Sequence, residues 1–304
     1  MWNRFICAII ISSFFLISPG LSLAAEEQKG ELLVNARLNE TQKVFEGQSF
    51  EFGFMYWYLD YKEDVPSPGK STEKGWLPGF YLGWNYNKKN KIYSKIFLEF
   101  SWGDVTYDGT DQSGAVPITF SDDNRQYFFR GEINVGYNIG ITKNISIIPY
   151  TGYGYRHWDR GQTQIRPMGA ISILGIQEKY YWHYIPVGIA ADFKIGDRFV
   201  IEPNAGARFM FYGKMTAEFS DLDPGFNNPD VKLGNRIGYY AEIPLRYRFS
   251  QFWSVVVKPW YAYDEIGQSD TVNLTYQGTV VMSLYEPPSR THQYGVNVGL
   301  AVAY

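Results

Sequence analysis

The strongest constraint on the fold is an alternation of residue types that recurs along the chain and is clearest at its end. The final stretch, YGVNVGLAVAY, places apolar side chains on nearly every second position up to Tyr304, with small or polar residues between them. Because successive side chains of a β-strand point to opposite faces, this pattern predicts a strand with one apolar face. That face must contact either a protein core or lipid.

Nine further stretches between residues 50 and 263 show the same alternation. Short polar turns (NKKNK, TKN, GDR and SQ) separate some of them, and longer segments, at roughly 62–75, 108–124, 160–178, 214–235 and 265–289, separate the others. Short turns on one side and long loops on the other are typical of outer-membrane barrels. Since lipid tolerates no open sheet edge, we predict an all-β fold, a closed antiparallel transmembrane β-barrel of ten strands over 49–304.

A twelve-strand barrel is the alternative. It requires VNLTYQGTVVMSLY, in the last long segment, to supply two more strands. Each arm has about six residues, fewer than the roughly 9–11 that cross a bilayer. We therefore expect this stretch to form an extracellular hairpin.

The N-terminus has the features of a secretory signal peptide. FICAIIISSFFLIS is apolar but too short to span a bilayer, and Ser22 and Ala24 suit a cleavage site near Ala24/Ala25. We predict that residues 1–24 are removed and that 25–48 form a periplasmic segment. The only cysteine, Cys7, lies in the signal peptide, which excludes disulfides and thiol catalysis in the mature chain.

Composition also favours a barrel. Aromatic residues make up 18% of the chain, mean hydropathy is only −0.27, and the formal net charge of −3 provides no basic field for nucleic acid. We expect outer-membrane lipid and lipopolysaccharide around the barrel, with aromatic girdles at both edges of the lipid band. No nucleic-acid partner is expected.

The polar faces of the strands carry nearly balanced charges. A ten-strand barrel is only slightly wider than one that side chains fill, and an isolated buried charge is costly. We therefore predict ion pairs that fill the lumen, with a charged path for small solutes as the alternative. The predicted network consists of Glu99, Arg130, Glu132, Arg156, Glu202, Arg208, Glu242, Arg246, Arg248 and Lys258.

The last residues resemble the ends of other outer-membrane barrels, which commonly finish on an aromatic residue. The resemblance implies that the barrel assembly machinery reads the closing strand. We accordingly predict an assembly signal at Leu300, Val302 and Tyr304.

Two strand exits are acidic, WGDVTYDGTDQSG after the third strand and FYGKMTAEFSDLDPGF after the seventh. With its size and strand number, the chain resembles the omptins, outer-membrane endoproteases that set an Asp pair against an Asp–His pair. The resemblance assigns Asp104, Asp108 and Asp111 to the first pair and Asp221 and Asp223 to the second. The histidine is missing, so no imidazole orients the water, and we expect no omptin-like proteolysis.

No other motif indicates catalysis, a cofactor or a metal. His157, His183 and His292 lack metal-site spacing, and the acidic loops match no defined calcium loop, so we favour solvated turns. The third long loop is unusually apolar and is expected to cover the mouth or contact a partner or the membrane. Its apolar residues are Met168, Ile171, Ile173, Leu174 and Ile176.

Together these features predict a non-enzymatic surface protein whose extracellular loops bind a ligand, a host factor or a neighbouring molecule. The alternatives are a narrow channel for small solutes and a divergent surface hydrolase that uses loop carboxylates.

Overall fold

The computed structural model describes residues 46–67, 69–110, 119–161, 166–168, 171–173 and 175–304. Within these ranges, ten antiparallel strands form one closed barrel. They are β1 (Gly47–Glu63), β2 (Ser71–Asn87), β3 (Ile92–Thr110), β4 (Thr119–Tyr137), β5 (Ile145–Arg160), β6 (Glu178–Ile195), β7 (Phe199–Ile201 and Asn204–Ala217), β8 (Ile237–Glu242 and Leu245–Arg248), β9 (Trp253–Ile266) and β10 (Ser289–Ala303). Each strand pairs with the next, and β10 pairs with β1. The predicted ten-strand barrel is confirmed.

Strands β7 and β8 are each interrupted at a proline. The breaks follow Ile201 and Glu242, next to Pro203 and Pro244, which have no N–H to give to the ladder. The wall stays continuous there because the backbone N–H of Glu202 donates to the carbonyl of Pro244 at 2.9 Å.

Short and long connections alternate as expected, and the long ones contain small structures of their own. Arg166–Met168 pairs with Ile171–Ile173, Asp230–Lys232 pairs with β7, and Phe219–Asp221 forms a 3₁₀ turn. Val272–Tyr276 and Thr279–Leu284 form a separate two-stranded sheet. The stretch that would have made a twelve-strand barrel is therefore a hairpin outside the wall. A two-residue strand, Ile139–Gly140, extends the wall beside β5.

The two faces of the wall differ as the alternation predicts. On β1, Phe54 is 79% exposed and Tyr56 is 50% exposed, whereas Met55, Trp57 and Leu59 between and beside them are buried. The exposed band continues around the barrel and is the surface for lipid. Among the described residues, no helix has the length and apolarity needed to span a bilayer.

Aromatic residues gather at both edges of the outward band. At the long-loop edge, the Trp76 ring lies 5.2 Å from the ring of Tyr58 and 6.1 Å from that of Tyr294. At the short-turn edge, the Trp84 indole donates to the Tyr304 hydroxyl at 3.2 Å. Both edges therefore carry side chains suited to a lipid–water interface.

Some sequence predictions lie outside the described residues. These are the signal peptide (1–24), the segment 25–45, Asp111 and Leu174.

Candidate functional site

The lumen is the candidate site, and its periplasmic end contains a charged triplet. Arg246 Nη2 lies 3.3 Å from Glu51 Oε2, and Arg246 Nε lies 3.2 Å from Glu202 Oε2. Glu202 and Arg246 are thus brought together. Arg248, which the sequence assigned to the same network, instead donates to the backbone carbonyl of Asp197 at a periplasmic turn.

Glu242 binds two lysines from other strands. Its carboxylate lies 3.2 Å from Lys95 Nζ on β3 and 3.9 Å from Lys258 Nζ on β9. The Lys258 ammonium also lies 4.1 Å from the ring centre of Phe97 and 4.8 Å from that of Tyr81. Cation–π attraction and one carboxylate therefore offset the desolvation of this lysine.

A cavity of about 60 Å³ lies among these periplasmic charges. Its walls include Lys95, Asp192 and Glu242, and smaller cavities adjoin it near Glu46. A space of this size holds a few water molecules. The periplasmic end of the lumen can therefore be hydrated.

The middle of the barrel contains a second set of predicted charges. Arg130 Nη2 lies 2.6 Å from Glu99 Oε2, which joins neighbouring strands. Glu132 Oε2 accepts from the Tyr184 hydroxyl at 2.8 Å and lies 3.9 Å from Arg208 Nε. The carboxylates of the middle layer thus each have a cation within reach.

Arg156 pairs across the lumen and not along the wall. In the strand register it stands opposite Arg130, a like charge. Its Nη1 lies 2.6 Å from Asp264 Oδ2 on β9, and its Nη2 donates to Gln293 Oε1 at 2.8 Å. Arg208 approaches the same aspartate at 3.7 Å. The middle layer is therefore tied together by Asp264 as well as by neighbouring strands.

Above the middle layer, the lumen is filled by buried apolar side chains that we call the apolar plug. Rings from different strands meet in it: Trp57 lies 5.1 Å from Phe128, and Tyr61 lies 5.0 Å from Trp158. An apolar layer of this kind opposes the passage of ions and polar solutes, because apolar side chains do not replace their hydration. The plug consists of Met55, Trp57, Leu59, Tyr61, Leu77, Val105, Phe128, Trp158, Tyr180, Trp182, Tyr184, Met210, Met215, Ala217, Val231, Leu233 and Ile266.

The extracellular mouth contains a buried group that we call the mouth cluster: Glu63, Glu73, Arg160, Glu178 and Glu286. Three carboxylates contact the one guanidinium, with Arg160 nitrogens 3.1 Å from Glu63, 3.1 Å from Glu73 and 2.6 Å from Glu178. The cluster therefore has four acidic residues and one arginine, which contacts three of them.

Glu73 is the most enclosed member of the mouth cluster, with no exposed surface. Its carboxylate accepts from Asn124 Nδ2 at 2.9 Å and from Gln126 Nε2 at 3.3 Å, besides Arg160. Gln126 in turn accepts from the Trp158 indole at 2.5 Å. The cluster is thus attached directly to the apolar plug.

Glu286 belongs to the last long connection, outside the membrane-spanning strands. It is only 4% exposed. Burial, followed by the neighbouring Glu178 and Glu63 carboxylates, raises the pKa of Glu286 well above its ordinary value.

Sequence reasoning missed the mouth cluster because it treated residues 62–75, 160–178 and 265–289 as loops. A signal was present: Arg160 continues the series of alternate residues Arg156 and Trp158, whose side chains point into the lumen. The alternation continues beyond the lipid band, so β5 carries an inward arginine into the mouth.

The four described acidic positions of the omptin resemblance do not converge on the mouth. Asp104 and Asp108 lie on the outward face of β3, where Asp104 pairs with Arg125 at 2.7 Å and Asp108 with Lys70 at 3.4 Å. Asp221 ends the 3₁₀ turn, and Asp223 Oδ1 accepts from the Gly225 N–H at 2.7 Å. These pairs have local structural roles.

All three histidines contact outward-facing tyrosines. Nδ1 of His183 lies 2.5 Å from the Tyr153 hydroxyl, and Nδ1 of His292 lies 2.8 Å from the Tyr261 hydroxyl. The His157 ring stacks on a tyrosine of the neighbouring strand. The imidazoles therefore lie at the outer surface, away from the carboxylates of the lumen. Among the described residues, no three His, Cys, Asp or Glu side chains are placed to hold a metal.

The apolar third loop is described in part. Ile176 packs against the apolar plug. Met168, Ile171 and Ile173 lie in the small hairpin of that loop, whose backbone alone is described.

The predicted assembly residues close the barrel on its outer side. Leu300 and Val302 stand opposite Phe52 and Phe50 of β1. Tyr304 is 71% exposed, and its backbone N–H donates to the Gln48 carbonyl at 3.2 Å.

Comparison with known proteins gives one family match. The model of the Autotransporter beta-domain family matches residues 40–258. No curated protein matches the chain significantly.

Among solved structures, the outer membrane protease OmpT from Escherichia coli superposes with a TM-score of 0.56 at 10% identity, covering 84% of this chain and 96% of that one. At 10% identity, this superposition is evidence for the fold alone. The translocator domain of the autotransporter NalP from Neisseria meningitidis gives a TM-score of 0.42 at 9% identity, covering 91% and 98%. The outer membrane protein OprG from Pseudomonas aeruginosa gives 0.37 at 11%, covering 84% and 95%.

Proposed function

Because this chain belongs to the autotransporter beta-domain family and is an integral β-barrel of the bacterial outer membrane, we propose that it acts through its extracellular surface. In this proposal it is a closed, non-enzymatic barrel whose loops bind a ligand or a neighbouring surface. The observation that supports this most directly is the filled lumen, with an apolar plug beneath a buried mouth cluster.

A filled lumen argues against transport of any large cargo. An extended polypeptide or a hydrated solute needs a continuous path, and here side chains from β1, β4 and β5 meet across the interior. Moving them aside would expose the buried salt bridges of the mouth cluster. The barrel is therefore better suited to hold its loops in place than to conduct.

The hairpin in the last long connection has the properties of a contact surface. Val280, Val281 and Met282 are each more than half exposed, and residues 271–285 contain no charged side chain. Exposed apolar residues in such a run are uncommon on surfaces that contact only water. The base of the hairpin points inward, with Val272 and Leu284 packed against the apolar plug.

The non-enzymatic part of the proposal is supported by the positions of the acidic and histidine side chains. Asp104 and Asp108 point outward in ion pairs, and the histidines lie in the outer aromatic girdle. A carboxylate hydrolase needs a water held between polar groups, which these positions do not provide. Cleavage of a peptide library by the refolded protein would contradict this part of the proposal.

Lipid and lipopolysaccharide are the proposed partners of the outward face, and the barrel assembly machinery is the proposed partner of the closing strand. The outward apolar band and the exposed Tyr304 support these two proposals.

A narrow channel for small solutes is the second candidate function, because the periplasmic end of the lumen has a cavity of about 60 Å³ lined by charges. Conductance in planar bilayers distinguishes the two. We expect no discrete openings from the wild-type barrel. Replacing Trp57, Phe128 and Trp158 together by alanine removes three rings of the plug and should produce openings.

The matched control replaces the outward residues Phe52, Phe54 and Phe80 by alanine, which removes three rings without touching the lumen. This variant should stay closed. Discrete openings in the wild-type protein would favour the channel and overturn the closed-barrel proposal.

A further inference from the structure

The last extracellular connection is attached to the opposite wall of the barrel through one carboxyl group. Glu286 Oε1 lies 2.6 Å from the Tyr180 hydroxyl on β6 and 3.5 Å from the Tyr61 hydroxyl on β1. The backbone of Glu286 is also fixed within its own connection, because its N–H donates to Ser269 Oγ at 2.8 Å. The connection thus reaches into the mouth, where Glu286 bonds it to β6. Other backbone bonds of the connection run to the 225–234 segment, as between the Gln277 N–H and the Gly225 carbonyl at 2.8 Å.

The charges around Glu286 do not balance. Arg160 is the one cation of the mouth cluster, and its guanidinium contacts Glu63, Glu73 and Glu178. No ion pair among the described residues includes Glu286. Among the described residues, an ionised Glu286 would therefore be a fourth buried carboxylate beside a single guanidinium that already contacts three others, which is unfavourable.

The hydrogen-bond geometry around Tyr180 also has a place for a proton on Glu286. The Tyr180 hydroxyl has one hydrogen, yet it lies 2.6 Å from Glu286 Oε1 and 3.0 Å from Glu178 Oε2. It accepts from Arg160 Nη1 at 3.0 Å. A protonated Glu286 satisfies this arrangement, because its own hydrogen is donated to Tyr180 while the tyrosine donates to Glu178.

We propose that Glu286 is a proton-dependent latch that holds the 267–288 connection over the mouth when it is neutral and releases the connection when it ionises. Binding or loss of a proton at the Glu286 carboxyl group is what switches the latch. The charged and titratable groups that face it are Tyr61 and Glu63 from β1, Glu73 from β2, Arg160 from β5, and Glu178 and Tyr180 from β6.

The direction of the pH dependence follows from the pKa of Glu286, which is raised by burial and by the neighbouring carboxylates. Closure is fully stabilised below the ordinary value of 4.5, where the carboxyl is neutral in both the closed and the released state. That stabilisation is lost as the pH rises through the higher value of the closed state. The connection is therefore held at low pH and released as the pH rises.

The experiment measures the distance between spin labels on the whole barrel in lipid. The mature chain lacks cysteine, so Val281→Cys on the hairpin and Thr106→Cys on β3 give two labels at exposed positions. We expect one narrow distance at pH 5 and a broad, shifted distribution at pH 9. Glu286→Gln, which is neutral throughout, should keep the narrow distance over the whole range.

The matched control is Asp270→Asn, an exposed carboxylate in the same connection whose Oδ1 accepts from the Lys232 N–H. An amide keeps that acceptor, so the pH response should remain that of the wild type. No change in the wild-type distance between pH 5 and 9, or an unchanged response in Glu286→Gln, would overturn the latch.

If Glu286→Gln does not fold, Glu178→Gln provides the test. Removing that charge makes ionised Glu286 less unfavourable, so release should need a higher pH than in the wild type. An unchanged release pH would contradict the proposal.

Discussion

Arg160 shows how much a single inward side chain can control at the mouth. Its guanidinium is almost fully buried and contacts three carboxylates, while its plane lies over the rings of Tyr61 and Trp158. The surface pair of Arg125 and Asp104 has equally short contacts but is open to solvent. Breaking the buried ion pairs of Arg160 should therefore cost more stability than breaking the exposed pair of Arg125 and Asp104.

We expect Arg160→Met to lower the free energy of unfolding by about 3–5 kcal/mol, because it leaves buried carboxylates uncompensated. Urea unfolding of the refolded barrel in lipid vesicles measures the loss. The loss should shrink as the pH is lowered, since protonated carboxyls no longer repel one another.

Arg125→Met is the control for this prediction, because it breaks an ion pair at the exposed surface. Solvent already screens that pair, so little change in unfolding is expected. Equal losses in the two variants would show that burial does not set the importance of Arg160.

At the residue scale, the sequence identifies which charges point inward better than it identifies their partners. Glu99 and Arg130 lie on adjacent strands and meet. Arg156 was predicted to join the same network, and its partner proves to be Asp264, because the register places Arg130 opposite it and like charges turn apart. Contacts across the lumen depend on strand stagger and side-chain length, which alternation does not specify.

At the scale of elements, the closing strand β10 joins the barrel along both of its edges and ends on an exposed aromatic residue. Its pairing with β1 extends from Glu63–Ser289 to Ser49–Ala303. Tyr304 lies beyond this ladder at the lipid–water edge, beside Trp84. Its ring makes few contacts inside the barrel and remains accessible to another protein.

We expect Tyr304→Lys to reduce the amount of folded barrel in the outer membrane severalfold, because a charge replaces the proposed recognition ring. Tyr304→Phe keeps the ring and should assemble normally. Heat-modifiable migration of membrane fractions on gels measures the folded amount. Equal amounts of folded barrel for the lysine and wild-type proteins would exclude a role in assembly.

At the scale of the whole molecule, the orientation follows from the unequal connections. Both termini of the described barrel and the short turns are at one end, and the long connections are at the other. In outer-membrane barrels the short turns face the periplasm. The hairpin with Gly278 should thus be outside the cell and the turn with Gly196 inside.

An epitope inserted after Gly278 should be labelled by antibody on intact cells. The same epitope after Gly196 should be labelled only after the outer membrane is permeabilised. Both glycines lie in turns with open space around them, so the insertions are matched. Labelling of the Gly196 insertion on intact cells would reverse the orientation.

The fold was predictable from the sequence because the lipid bilayer places the same structural requirement on every strand. Each crossing segment must show the same two-residue period and must pair on both edges. The alternation is weak in any one segment, but ten segments that share it support the same fold. The mouth cluster was not predicted, because the sequence does not show how far strands such as β2 extend beyond the lipid band, which left Glu73 in a presumed loop. Glu286 lies in a connection, where no repeating pattern indicates that it points inward.

The pairing of the first strand with the last has a consequence for how the chain folds. Residues of β1 and β10 that meet in the wall are more than 200 positions apart, as Glu63 and Ser289 illustrate. Contacts of such long range form slowly, since loop closure must precede any gain from them. The seam cannot close until β10 has been synthesised, so the two unpaired edges have to be shielded from aggregation until then.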